Sequence, residues 1–374
     1  MLPGVAKSES AYRKRGPPGG TLETLAARSG ISAATLSRVL NHPQQVRAPL
    51  RERAEAVLSE AGYVAHGAAR SLASRRSRTM GAIVPTVDSA LFAKIVEGLQ
   101  QEIHPHGYQL LLASSNYSPQ REAAEVRALL ERGVDGLMLV GRARAPETLA
   151  MLRARGVPFV TTCHHDAGVP WPTIGWDNVR EAGRVADYLL DIGHRHFGVI
   201  VGIVADNDRA ADRAEGFRAA LVRRGVRLPP HALLERRYTV PQARQAMAAL
   251  LRLPQRPSAV LCGNDILAYG ALQECLWQDL RVPQDISISG FDNIEMAAHC
   301  RPGITTLDVP AAEIGATAGR TLLATQTAAR DEPPAHAFLE LELIVRDSTA
   351  PPASRAAAKA RRSARNARAP ASVS

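Results

Sequence analysis

Across residues 21–41, TLETLAARSGISAATLSRVLN, apolar positions recur every three to four residues, and the run breaks once, at Gly30. The pattern predicts two short helices joined by a tight turn. Leu22, Leu25 and Ala26 form the apolar face of the first helix, and Leu36, Val39 and Leu40 that of the second. Gly30 can take the positive φ that stops a helix sharply. Ser32 stands where an N-cap belongs, its hydroxyl placed to accept from the N–H of Thr35. Ala33, Ala34, Thr35, Ser37, Arg38 and Asn41 are left facing outward. This is the layout of a helix-turn-helix, whose second helix enters the DNA major groove. An ordinary hairpin of two helices has the same local pattern, so this stretch does not decide alone. A third helix is expected from about Pro49 to Ala61, with Ala54, Val57, Leu58 and Ala61 as its stripe and Gly62 as its stop.

From Met80 the pattern changes to short apolar runs alternating with helical stretches. GAIVP, YQLLLAS, DGLMLV and PFVTT read as buried strands, and FGVIVG, AVLCG and ISISGFD form a second set. Helical segments such as FAKIVEGLQQEI, QREAAEVRALLERG, DRAEGFRAALVRRG and NDILAYGALQECLWQDL separate them. Continuous apolar strands alternating with helices imply parallel sheets covered on both faces. Two sets imply two Rossmann-like subdomains with a cleft between them, and ligands of such sheets sit at the carboxyl ends of the strands.

Charge sharpens this division. The net charge of +10 over 374 residues is uneven. Residues 1–78 carry thirteen Lys/Arg against five Asp/Glu, the tail from 351 carries six against none, and residues 79–350 carry 27 against 31. A basic head on a slightly acidic body suits a polyanion-binding module attached to a sensor. Four scattered cysteines without a CxxC argue against a disulfide framework or a zinc site and for reduced structural thiols. The chain starts without an apolar leader and contains no span-length apolar run, so a cytoplasmic protein is expected. There is no GxGxxG, Walker loop or GxSxG, which argues against an enzyme on a Rossmann-like body. No cofactor is expected. His164 and His165, adjacent in an extended segment, point to opposite faces and do not suggest a metal site.

Between head and body, HGAARSLASRRSRT places Leu72 among Arg70, Arg75, Arg76 and Arg78. The arginines suit phosphates. The leucine either packs on the body or acts as a wedge between base steps in the minor groove.

The signatures SGISAATLSRVLN, EAGYVAHGAARSLASRRSRTMGAIVP, GVDGLMLV, TIGWDN, GHRHFGVI, AVLCGNDILAYGAL, VPQDISISGFDN and PGITTL occur in order over roughly residues 21–350. On them the chain resembles the LacI/GalR family of bacterial transcription regulators. NHPQQVR, HGYQLLLASSNYSPQ and TIGWDN are further similar to its gluconate-responsive members. The resemblance implies a helix-turn-helix headpiece (21–65), a linker helix (66–79) and a two-lobed effector-binding and dimerisation body like a periplasmic binding protein (80–350); composition alone makes residues 1–20 a disordered arm and 351–374 a disordered basic tail. It implies a homodimer on a near-palindromic operator, and a small effector that is a sugar or sugar acid, gluconate-like if the subgroup holds. Ala65 and His66 depart from the family's Pro-Asn start of the linker helix.

By the same resemblance Ala33, Ala34 and Arg38 are the base-reading positions, and Leu72 is the wedge with Ala69 and Arg70 beside it. Arg38 can bond guanine O6 and N7 bidentately, the alanines offer methyl contact, and Ser32, Thr35 and Asn41 suit phosphate anchoring. For the effector, candidates fall at predicted strand ends: Asp88, Phe92, Arg142 and Asp177 in the first lobe, and Arg213, Asn264, Phe291 and Asp292 in the second. Arg213 matches the family's ligand-binding arginine. Carboxylates and amides bond hydroxyls, a phenyl ring covers a sugar face, and an arginine holds an anion. Asp265 is expected to cap the helix that begins beside it. Linkage between effector and operator sites, through a change in the angle between lobes, is the expected mechanism. Rival readings are an exported sugar-binding protein, which the basic head does not suit, and a catabolite-control regulator with a partner protein as co-effector.

Overall fold

The turn expected at Gly30 forms with φ of 70°, its N–H donating to the carbonyl of Ala26. The computed structural model describes residues 21–64, 76–326 and 334–352. The expected arm, the linker positions Ala69, Arg70 and Leu72, and nearly all of the basic tail lie outside the described residues. Helix α1 (Leu22–Ser29) is capped by the Thr21 hydroxyl, and α2 (Ala33–Asn41) by Ser32, whose Oγ accepts from the Thr35 N–H at 3.1 Å. In α3 (Ala48–Glu60) Pro49 occupies the first turn, where its missing N–H costs nothing. Leu25, Ile31, Leu36, Val39, Val46, Ala54 and Leu58 close a small core. Contacts divide the chain into two compact units, 1–77 and 78–374.

In the larger unit the first lobe runs β1 (Thr79–Val84), α4 (Ala90–Ile103), β2 (Gln109–Ser114), α5 (Pro119–Glu131), β3 (Gly136–Val140), α6 (Pro146–Arg155), β4 (Phe159–Thr162) and β5 (Thr173–Gly175). The chain then crosses to the second lobe: α7 (Asn178–Asp191), β6 (Phe197–Gly202), α8 (Asp208–Arg223), β7 (Leu233–Arg236), α9 (Val240–Leu251), β8 (Ala259–Cys262), α10 (Asp265–Trp277), β9 (Ser287–Ser289) and α11 (Glu295–His299). It returns through β10 (Thr306–Asp308) to α12 (Ala311–Thr325) and β11 (Ala337–Phe338), and crosses once more into β12 (Glu342–Ile344). The first sheet has the order β11-β5-β4-β3-β1-β2 and the second β7-β6-β8-β9, both parallel throughout. β10 and β12 pair antiparallel, Leu307 opposite Leu343, so two of the three crossings are tied together by a short ribbon.

The apolar runs explain the central strands. β3 and β6 are buried along their whole length, as strands covered on both faces must be. YQLLLAS does form a strand, but at the sheet edge, and Leu112 is exposed rather than buried. Close helix pairing supports each lobe. A Cβ on Gly315 of α12 would stand 1.9 Å from the Ile95 carbonyl oxygen of α4, and one on Gly216 of α8 would stand 2.2 Å from that of Val179 in α7. Only glycine lets these backbones approach so far.

Candidate functional site

On α2, Ala34, Arg38 and Asn41 follow one another at i, i+4 and i+7 on one exposed face, while Leu36 and Val39 are buried opposite. Ala33 is half-buried at the helix start. Thr35 Oγ1 lies 2.8 Å from Ser32 Oγ, and Asn41 Nδ2 donates to the Ser37 carbonyl at 2.9 Å. Arg38 is exposed in the middle of this face.

In the body, the junction of the lobes is built around α8. Asn207 caps it, accepting from the Ala210 N–H at 3.4 Å and donating to Tyr238 Oη at 3.3 Å. Arg209 and Arg213, four apart, leave α8 on one side. Arg213 is buried. Its Nε donates to Asn178 Oδ1 at 3.0 Å, and its Nη1 donates to the Gly263 carbonyl at 2.7 Å and to Asp292 Oδ1 at 3.4 Å. Its guanidinium lies 3.6 Å from the Phe291 ring centre, and that ring stacks against Trp176 at 6.3 Å. Trp176 Nε1 also donates to Asn178 Oδ1, and Asn178 Nδ2 donates to the Cys163 carbonyl of the first lobe. One arginine thus gathers a crossing segment, the loops after β8 and β9 of the second lobe and, through Asn178, the first lobe.

Burial raises the Asp292 carboxyl to about 6 against the pull of Arg213. Its backbone holds φ of 111°, a strained value for a residue with a side chain. Asp265 does not cap α10. Asn264, in extended backbone, takes that role and accepts from the Leu267 N–H at 2.9 Å. Asp265 turns inward and accepts from Ile294 N and Thr306 Oγ1 at 2.9 and 2.6 Å. It thereby fixes both sides of the returning chain. Burial and the neighbouring Asp292 raise its carboxyl to about 8.

The first lobe contributes the turns after β2 and β3. Asn116 and Tyr117 both hold positive φ, 51° and 61°, which brings the Tyr117 ring to 5.8 Å from that of Tyr238 in the other lobe. After β3, Gly141 lies so close to the second lobe that a Cβ there would stand 1.7 Å from Arg209 Nη1. The Arg142 N–H donates to Asp208 at 2.9 Å, and its guanidinium clasps Asp212 with two bonds of 2.6 and 2.7 Å. Asp208 also receives Arg209 Nη1 at 2.8 Å. Burial alone would raise the Asp208 carboxyl, but Arg209 and Arg142 outweigh it and hold the group below the usual range. Deeper in the same lobe, Glu122 of α5 and Arg144 are both buried, Oε1 to Nε at 3.9 Å.

Of the eight positions chosen from the sequence, Arg213, Phe291 and Asp292 come together, and Arg142 reaches across the rim. Asn264 and Asp177 serve as helix caps, Asp177 accepting from the Arg180 N–H at 3.0 Å. Phe92 packs in the main core. Asp88 is exposed and hydrogen-bonded to Thr86 at 2.5 Å. Sequence reasoning missed Tyr117, Glu122, Arg144, Trp176, Asn178, Arg209 and Tyr238. A signal existed for Asn178, which directly follows the Trp-Asp after a strand, and for Arg209, one helical turn before Arg213. His164 is buried between Thr161 and Thr162, and burial lowers its pKa. Among the described residues no three His, Cys, Asp or Glu side chains group as a metal site, and no helix is long and apolar enough to cross a membrane.

A helix-turn-helix headpiece on a chain whose body is a two-lobed, parallel α/β receptor defines a ligand-responsive DNA-binding regulator. Residues 21–66 match the bacterial regulatory proteins of the lacI family, and residues 186–349 match the periplasmic binding protein-like domain. The chain is 32% identical over 330 residues to the HTH-type transcriptional repressor CytR of Escherichia coli (strain K12), covering 88% of this chain and 96% of that one. Among solved structures, a LacI family regulator from Silicibacter pomeroyi superposes with a TM-score of 0.80 at 26% identity, over 88% of this chain and 98% of the other. A complex of the regulator CelR with cellobiose gives 0.65 at 28% identity, over 88% and 99%. The chain belongs to the LacI family and is a DNA-binding transcriptional repressor of that kind.

Proposed function

We propose that the protein represses genes of carbohydrate uptake or breakdown, acting in the cytoplasm as a homodimer on a near-palindromic operator. A sugar or sugar acid bound between the lobes sets its operator affinity. The observation that carries this reading is the Arg213 cluster, where a buried guanidinium, a carboxylate, an amide and two aromatic rings converge where the lobes meet. Carboxylate and amide bond hydroxyls, the rings cover the apolar face of a sugar, and the arginine takes a carboxylate or a ring oxygen. The cellobiose held by CelR supports the same ligand class. Gluconate and other sugar acids belong to the same proposal, since the arginines of the junction suit a carboxylate. In the headpiece, Arg38 reads a guanine, Ala33 and Ala34 let α2 sit close, and Ser32, Thr35 and Asn41 hold phosphates. Ala69, Arg70 and Leu72 of the linker complete the contact, the leucine at the operator centre.

Coupling follows from the rim. The cavity beside Tyr117 and Arg209 measures about 20 Å³, whereas ligand pockets enclose roughly 300 Å³ or more. An effector therefore parts Arg142 from Asp212 and alters the angle between the lobes. A ligand shifts the equilibrium by as much as its affinities for the two arrangements differ, typically about 1–3 kcal/mol.

Mobility-shift titrations against palindromic duplexes from the native genome, with and without sugars and sugar acids, test this reading. Binding to one duplex that a single carbohydrate changes is the expected result. Absence of any duplex preference overturns it. At that operator Arg38→Ala lowers discrimination at one G·C pair by about 1–3 kcal/mol, measured by competition with the base-substituted duplex.

A further inference from the structure

Every buried acid at the junction of the lobes but two has an arginine of its own. Arg209 holds Asp208 at 2.8 Å, and Arg144 stands 3.9 Å from Glu122. On the far side of the cluster Arg346 and Asp308, one cation and one acid, share Asn293, each bonded to it at 2.7 Å. Asp265 and Asp292 have only Arg213 between them. Its Nη1 reaches Asp292 Oδ1 at 3.4 Å, and its other bonds go to Asn178 and the Gly263 carbonyl. Asp265 is fully buried and bonds neutral partners, the Ile294 N–H and the Thr306 hydroxyl. Its own N–H donates to the Phe291 carbonyl at 2.9 Å, which sets it against the segment that carries Asp292. The other titratable groups against Asp292 are Tyr117, Tyr238 and Cys163, and those against Asp265 are Cys262 and Cys300. Burial raises all five, so each is uncharged near neutral pH. Two buried carboxylates beside one guanidinium keep a proton between them, and both carboxyls are raised accordingly, Asp265 to about 8 and Asp292 to about 6. The resting proton is on Asp265, and the one charge left, on Asp292, is balanced by Arg213.

An effector therefore enters a cluster whose charges already cancel. A neutral sugar leaves that balance untouched, since its hydroxyl donates to an ionised Asp292 beside Arg213. A sugar acid does not. Its carboxylate draws the Arg213 guanidinium from Asp292 and adds a second negative charge, and both changes favour the protonated form of Asp292. We propose that the effector cleft keeps itself neutral by exchanging a proton at Asp292, so that an acid effector binds with uptake of one proton and a neutral sugar with none. The proposal rests on the carbohydrate reading above and adds the regulation of that site by pH. For an acid effector, affinity rises by up to about tenfold per unit fall in pH and levels off below about 6, where Asp292 is already protonated in the free protein. A neutral sugar needs Asp292 ionised, so its affinity falls as pH drops through the same value.

The test is calorimetric titration of the full-length protein with D-gluconate as the acid probe and D-glucose, D-ribose and cellobiose as neutral ones. Each titration is repeated in buffers of different ionisation enthalpy, which gives the number of protons exchanged, at about pH 7.5 and about pH 6. Gluconate is expected to take up about one proton at the higher pH and about half of one at the lower. A neutral sugar is expected to exchange none at the higher pH and to release about half of one at the lower. Asp292→Asn copies the protonated acid: gluconate binds it without uptake and at least about tenfold tighter than the wild type at the higher pH. Gluconate binding without uptake in the wild type, a neutral-sugar count that is the same at both pH values, or uptake that persists in D292N overturns the proton exchange and leaves the carbohydrate reading in place. Weaker gluconate binding by folded D292N overturns it too. If D292N does not fold, or only one class of probe binds, the wild-type counts decide. Failure of all four probes to bind the wild type overturns both.

Discussion

The two walls of the cleft are finished to different degrees. On the second lobe, Arg213 is satisfied by Asn178, Gly263 and Asp292 and covered by Phe291, and Asp265 pins the chain on either side of them. On the first lobe, Glu122 and Arg144 retain unused hydrogen-bonding capacity, Tyr117 sits on a strained turn, and Arg142 spends its guanidinium on the opposite lobe. A wall whose polar groups already bond one another is rigid and presents a fixed orientation. A wall with spare donors and acceptors gains most from a ligand that completes them. In the proposed function the second lobe is the wall that orients an effector, and the contrast between the walls can be probed one wall at a time.

The largest effect is expected at the finished wall. Arg213→Met removes the partner of a buried carboxylate and of the Asn178 amide. Breaking a buried pair in this way costs about 3–5 kcal/mol, visible as a lower urea midpoint with an unchanged slope. Arg144→Met costs less, since Arg144 gives up a longer ion pair and one hydrogen bond, to the Gly141 carbonyl, against three from Arg213. Equal losses in the two variants would erase the contrast between the walls.

Next comes the pH dependence set by Asp265. Its folded pKa of about 8 exceeds the usual 3.8. A carboxyl raised on folding contributes stability that is complete below its unfolded pKa and is lost as pH rises through the folded one. Between those values the folded state keeps a proton that the unfolded state has released. Stability then falls by about 1.4 kcal/mol per pH unit until pH passes 8. Asp265→Asn keeps the shape and removes the titration. Urea titrations of both proteins from pH 5 to about 9 give a difference that shrinks with that slope, and a constant difference rejects a protonated Asp265 at neutral pH.

Legibility in the sequence follows the same physical divide. The headpiece is local: Gly30, Ser32 and the Leu36–Val39 stripe each act on residues within four positions, so caps, turn and buried face were readable. The long apolar runs of β1, β3, β4, β6 and β8 were readable for the same reason. β5, β7 and β10 to β12 are segments of two to four residues that no longer apolar run surrounds, and it is topology that recruits them. Among site residues, Phe291 and Asp292 follow the end of β9, where ligands of parallel sheets bind, and Arg213 lies in the second turn of α8. Glu122 lies inside QREAAEVRALLERG and reads as one more charge on an amphipathic helix. It becomes a cleft residue only when the turn after β3 folds against α5 and buries it. Asp265 was misassigned because Asn264 and Asp265 are equally able caps in a sequence; the extended backbone at Asn264, φ −159° and ψ 175°, decides between them.

The smallest effect concerns the rim, where the unfinished wall borrows from the finished one. The Arg142 side chain is half exposed, and its two bonds to Asp212 join the lobes at the rim. An exposed ion pair is worth about 0.2–1 kcal/mol, and an effector must give up that amount on entry. Arg142→Ala is therefore expected to tighten effector binding by up to about fivefold. It is also expected to leave the urea midpoint nearly unchanged, because the pair is peripheral to both cores. Calorimetric titration of the variant beside the wild type measures the change directly. Weaker binding in the variant would place Arg142 on the effector itself and make the first lobe an orienting wall as well.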